Sequence, residues 1–386
     1  MKIFSKILAL SLVIAALVSC SSDCVPVNNS DISLDPNQKY IHFDTDILTR
    51  GNLISGDVLQ DGFSVLGYSY LGSWSGNSAM IKPNVFDDTP QKVEFENGIY
   101  TYSNEPKGWT GNTYSFFGYY PAEHDKIKLF DNGSEKTGEP YITYELASRN
   151  NPVPLIDVMT ASCKDTNVSS SSTVALHFYH RLAAIDVAAR NYYEYDHDGE
   201  SDTEKVPVTI EITELTVHFT NLVNQKAKIY FDRTKPSVYT AESENNRTAN
   251  YPMVGKNQTY TKATFDINPN TVSDRDMRFI STQDGNNASA LLVIPQEEEL
   301  HISSTLKYKK KYKVGEEWVY IPNIDANGNN TGDEFSEPLS VTFTKKIQEG
   351  RRYYIELTFT SDAVSINVVA ADEWNELDDD IAHEFA

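Results

Sequence analysis

Cys20 is the residue whose surroundings most plainly prescribe a reaction. Lys2 and Lys6 precede an apolar run, Ile7–Val18, too short to cross a bilayer comfortably, and Leu17-Val18-Ser19 leads into the cysteine. That order is the order of a bacterial lipoprotein signal, in which residues 1–19 are removed and Cys20 becomes an acylated N-terminus. The next reactive position is Arg50, in "DILTRGNLISGD". It is the first arginine in the chain, the following one is Arg149, and no lysine or arginine stands within ten residues of it. An arginine-specific protease meeting the first 148 residues in a flexible state has one place to cut, between Arg50 and Gly51.

Metal and catalytic chemistry finds less support. The eight histidines are scattered, and the two in "HFYH", His177 and His180, are three apart, which in a strand points them to opposite faces. There is no HExxH, no GxSxG and no phosphate- or dinucleotide-binding glycine pattern. The acidic loops "DHDGESDTE" (196–204) and "DANGNNTGDE" (325–334) lack the glycine and glutamate positions of an EF-hand and read as solvated loops. Tyr192, Tyr193 and Tyr195, beside the first loop, could stack on sugars or pack in a sheet. Carboxylates are too abundant for any pair to stand out, so the chain reads as a non-enzyme with no catalytic, cofactor-binding or metal residues.

The residues between these positions say what must hold them. With 55 acidic against 33 basic residues the net charge is −22, which repels phosphate backbones and excludes nucleic acid as a partner. The one basic run, "LKYKKKYKVG" with Lys307, Lys309, Lys310, Lys311 and Lys313, reads as an edge strand guarded by lysines. Beyond Cys20 only Cys24 and Cys163 remain, and no structural disulfide is expected, since Cys24 falls in a polar leader. Membrane contact is expected only through the lipid on Cys20.

Period-2 patterning runs nearly throughout. Residues 20–38 are a small, polar tether. "YIHFDTDIL" then alternates, with Ile41, Phe43 and Ile47 on one face. "KVEFENGIYTY" predicts a hairpin with Asn97-Gly98 in a type I′ turn and Phe95 opposite Tyr100. "HRLAAIDVAARN" (180–191) suits either strand or helix. The chain is therefore mainly β, expected as two Greek-key β-sandwich domains, residues 39–168 and 173–386, divided at the serine run 164–173.

The segments "IHFDTDILTR", "DGFSVLGYSYLG", "YSFFGYYP", "IDVMTAS", "HFYHRLAAIDVAAR", "EGRRYYIELTF" and "VVAADEW", following the Cys20 signal in this order, resemble the fimbrillin (Mfa-like) family of lipoprotein precursors of type V pilus subunits. The resemblance implies two transthyretin-like domains and no cofactor. It also implies an outer-membrane lipoprotein precursor, cleavage after Arg50, polymerisation with other pilin subunits by strand exchange, and an adhesive surface fimbrium. The candidate donor strand is the tail after Trp374, where Leu377, Ile381, His383 and Phe385 share one face at period 2. The other reading is a lipid-anchored surface glycan-binding lipoprotein, and host or bacterial surface glycans or proteins are further candidate partners. The N-terminus found on cells, Gly51 or acylated Cys20, separates the two.

Overall fold

The computed structural model describes residues 39–47, 59–130, 137–146, 157–254, 263–265, 278–279 and 291–370, short gaps within these aside. Its described elements are strands apart from one four-residue helix, Trp74–Asn77. The chain is mainly β, as its patterning requires.

The first unit is a closed seven-stranded barrel. Around it run His42–Ile47, Ile99–Thr101, Gln91–Glu96, Phe63–Tyr70, Thr113–Tyr120, Met159–Thr166 and Thr173–His180, which returns to His42–Ile47. Asn97 and Gly98 link two of these strands with φ of 52° and 86°, the left-handed pair a type I′ turn demands, and Phe95 stands opposite Tyr100 as expected. Val65, Phe116, Leu176 and Phe178 point into the barrel, whereas Leu66, Tyr68, Phe117 and Tyr119 point outward into a second core. Two buried faces explain why "FSVLGYSY" and "TYSFFGYY" are almost continuously apolar.

That second core is shared with the rest of the chain. Ala183–Asn191 pairs in parallel with Arg352–Phe359, which pairs in turn with Val364–Ala370. Facing them is a six-stranded sheet built on Thr209–Phe219 and the long strand Leu300–Val314. Ile185, Val187, Ile212, Leu306, Tyr308 and Phe359 fill the space between, with the Tyr308 and Phe359 rings 5.2 Å apart. A separate four-stranded sheet has the order Val238–Ala241, Asn224–Tyr230, Tyr141–Glu145, Ile127–Leu129.

Three expectations need correction, and one open reading is settled. The serine run does not divide the units: Thr173–His180, just beyond it, is a barrel strand, and Tyr141–Glu145, before it, pairs with Asn224–Tyr230. The ambiguous segment at 180–191 is a strand from Ala183, where the small alanines accept neighbours on both sides and both faces. The lysine-rich strand is not an edge. Thr209–Phe219 flanks it on one side, and Glu334–Phe343 with Glu317–Tyr320 on the other. Finally, Cys163, buried in the barrel wall, is disulfide-bonded, to a partner outside the described residues.

Candidate functional site

The first strand, His42–Ile47, completes the barrel from the N-terminal end of the chain. It runs parallel to Thr173–His180, from His42 opposite Thr173 to Ile47 opposite Phe178, and meets Ile99–Thr101 at Phe43–Tyr100. A strand can alternate apolar and polar residues here because one side faces the barrel interior and the other faces out. Ile41 and Phe43 are therefore buried. Phe43 enters a cage of rings, with centroids 5.5 Å from Phe116, 6.1 Å from Phe63, 6.2 Å from Tyr102 and 6.3 Å from Phe86.

Two tyrosines of the barrel hold this strand through their hydroxyls. The Thr45 hydroxyl donates to the Tyr100 oxygen at 2.6 Å, and the Leu59 N–H donates to the same oxygen at 3.0 Å. The Tyr102 hydroxyl donates to the Ile41 carbonyl at 3.1 Å and accepts the Lys107 N–H at 3.1 Å. Burial pushes both phenols above the ordinary tyrosine range, which these contacts oppose in part. Upstream, the Ile41 N–H donates to the Lys107 carbonyl and the Trp109 N–H donates to the Lys39 carbonyl, each at 2.9 Å.

The neighbouring strand depends on this arrangement. Thr173–His180 shares six register positions with the first strand but two with Met159–Thr166, at Met159–His180 and Thr160–Tyr179. Removing His42–Ile47 would leave most of Thr173–Phe178 without its ladder and would empty the Phe43 cage. Burial of Ile41 and Phe43 contributes roughly 3–6 kcal/mol before ordering costs, enough to close the barrel and little enough for a competing strand to match.

At its far end Thr173–His180 enters the junction between the units. His180 Nδ1 lies 2.7 Å from Asp157 Oδ2. The buried Arg181 reaches Glu349 at 2.9 Å through Nε and donates from Nη2 to Ser237 at 3.1 Å. Ser237 and Tyr239 donate to the other Glu349 oxygen at 2.7 and 3.0 Å. Ile47 pairs with Phe178, two residues short of His180, and Ala370 pairs with Tyr353, three residues beyond Gly350, whose N–H donates to Leu182. The end of the first strand and the last described residue of the chain thus both lie beside the junction.

Cys20, Arg50, Gly51, Leu377, Ile381, His383 and Phe385 lie outside the described residues. Among the described residues, no group of three His, Cys, Asp or Glu side chains converges as a metal site. Asp325 uses its carboxylate locally: Oδ1 accepts the Asn327 and Asn329 N–H groups, each at 2.8 Å. Those hydrogen bonds hold its pKa below the usual carboxylate value. In the lysine-rich strand, Lys307, Lys309, Lys311 and Lys313 pair with Glu214, Asp333, Glu211 and Glu316, which leaves the run close to neutral.

Comparison with known proteins bears on the fold and its lineage. The model of the fimbrillin-like family matches residues 72–253, from the helix at Trp74 to the strand Ala249–Val254. Over these residues the chain is fimbrillin-like. The first strand and the tail fall outside that span. Among solved structures, a fimbrial protein from Bacteroides vulgatus superposes with a TM-score of 0.56 at 18% identity, covering 87% of this chain and 99% of its own. That similarity establishes a common fold for nearly the whole chain. A candidate cell adhesion protein from Bacteroides uniformis gives 0.45 at 13% identity, again over 87% of this chain and 99% of the other. No curated protein matches the chain in sequence.

Proposed function

We propose that this fimbrillin-like protein is a structural subunit of a cell-surface pilus that serves adhesion, not an enzyme. In this reading the precursor is exported as an outer-membrane lipoprotein acylated at Cys20 and cut after Arg50. Gly51 then becomes the N-terminus, and the first strand is free to leave once the Cys163 disulfide, whose partner cysteine precedes Arg50, is reduced. The observation that carries the reading is the position of that strand. It closes the barrel from outside the body of the fold, three residues before Arg50, and its loss would expose a ladder and an apolar cage together.

An emptied seat of this kind is a template for strand addition by another copy. The donor is the tail carrying Leu377, Ile381, His383 and Phe385, which follows a strand ending at the junction. Three apolar side chains at about 1.5–3 kcal/mol each bring roughly 5–9 kcal/mol, comparable to what the first strand gives up. The test is polymerisation of purified precursor with an arginine-specific protease and a thiol reductant, comparing wild type, Arg50→Ala and a chain truncated after Trp374. Polymers are expected from wild type alone. Polymerisation of Arg50→Ala would remove the cut as trigger, and polymerisation of the truncated chain would remove the tail as donor.

A further inference from the structure

The four-stranded sheet buries one face and presents the other to solvent. Ile142, Tyr144, Ala227 and Ile229 point inward. Register places Lys128 opposite Thr143, Thr143 opposite Lys228 and Lys228 opposite Val238, so these four form one row across the outer face. Lys226 stands opposite Glu145, and Tyr230 opposite Tyr141, in the rows on either side. The Lys228 ammonium lies 3.9 Å from the Tyr141 ring centroid and 5.2 Å from that of Tyr230, and the Lys235 ammonium lies 5.6 Å from Tyr230.

In a chain of net charge −22 this face carries Lys128, Lys226, Lys228 and Lys235 around two tyrosine rings. Glu145 pairs with Lys226 at 3.3 Å, and the largely buried Glu139 lies 3.9 Å from Lys235. Lys128 and Lys228 form no ion pair among the described residues, in contrast to the neutralised lysines of the long strand. We propose that this outer face binds an acidic carbohydrate chain carrying about one carboxylate for every one or two sugar rings.

Four considerations select that partner. Charge complementarity requires an anion, and the lysine heads held over the rings lose less rotamer freedom on meeting one. Tyr230, set edge-on to Tyr141 with centroids 5.8 Å apart and planes at 65°, offers its ring to the C–H face of a pyranose. Repulsion from the protein's overall negative charge grows in proportion to ligand charge, which disfavours dense polyanions such as nucleic acid or sulfated chains. Lysine is depleted from the cores of protein–protein interfaces, which argues against a protein partner. This site stands independently of the pilus reading.

The experiment uses the uncut precursor and three soluble probes: a hyaluronan decasaccharide, an oligogalacturonate and an α2,8-linked oligosialic acid, with dextran as the neutral control. Binding of at least one acidic probe and not of dextran is expected by calorimetry. Lys128→Glu combined with Lys228→Glu should weaken it about tenfold or more, as should raising salt from about 50 to about 300 mM. Lys128→Gln alone, on a solvated side chain, should weaken it in the same direction. Tyr230→Ala should weaken it with the salt dependence unchanged. Lys313→Glu with Lys346→Glu makes the same charge change elsewhere and should leave affinity intact. Failure of all three probes to bind overturns the proposal, as does equal weakening by the control pair. Equally tight binding of duplex DNA or phosphatidylserine vesicles would do the same, and so would lysine substitutions that alter self-association while sugar binding stays unchanged.

Discussion

Phe43 and Phe116 meet edge to face, their ring centroids 5.5 Å apart and their planes at 83°. Phe116 belongs to a central strand of the barrel wall and Phe43 to the strand that precedes Arg50, so this contact joins the strand proposed to leave to the rest of the fold. Phe43→Ala in the precursor should therefore cost about 3 kcal/mol, by lost burial and the cavity left among Phe63, Phe86 and Phe116. Urea denaturation of the uncut protein checks this. An unchanged midpoint would mean that Phe43 does not fill the cage in solution.

Gly118 provides a probe from the opposite wall. A Cβ there would come 2.9 Å from Phe178 Cζ and 3.3 Å from Leu176 Cδ1, both on the strand that pairs with His42–Ile47. Gly118→Ala should cost about 1–3 kcal/mol by overpacking and loosen the first strand more than the distal sheets. Amide hydrogen exchange reads this directly: protection at residues 42–47 should fall while protection at residues 352–359 holds.

Alkali should weaken the same seat. Burial raises the phenols of Tyr100 and Tyr102 above the ordinary value near 10, so above about pH 10 the unfolded chain gives up protons that the folded chain keeps. Stability from these groups is complete below about pH 10 and falls as pH rises beyond it. Between pH 10 and about 11 the urea midpoint of wild type should drop more steeply than that of a Tyr100→Phe, Tyr102→Phe variant. Parallel curves would show that these phenols are not buried.

The junction gives a prediction about coupling. Arg181→Met strips Glu349 of its cation and should destabilise by about 3 kcal/mol, as should Glu349→Gln. Because both remove the same contact, the double variant should fall well short of the sum. Additive losses would mean that Arg181 and Glu349 do not interact.

How much of this was readable in the sequence follows from how local each feature is. Asn97-Gly98 announces its turn within two residues, and Ile41 and Phe43 announce a buried face by alternation alone. The strand Thr173–His180 joins the first unit, against the boundary its sequence suggests, because its main partner lies 131 positions upstream, in a parallel pair that no local pattern encodes. The lysine-rich strand looked like an edge because its neutralising carboxylates, Glu211, Glu214 and Asp333, come from elsewhere in the chain. Tyr141, Lys128 and Lys228 gave no signal either, since they become neighbours only when Asn224–Tyr230 pairs with Tyr141–Glu145. The Cys163 disulfide is not legible in the sequence because cysteine spacing alone does not show which cysteines meet.

The central claim is that the chain loses everything up to Arg50 before it functions on the cell surface. N-terminal sequencing of fimbriae sheared from cells tests it most directly. The account predicts a single sequence beginning Gly51-Asn52-Leu53. Surface protein that begins at an acylated Cys20, with the first strand still attached, would contradict it.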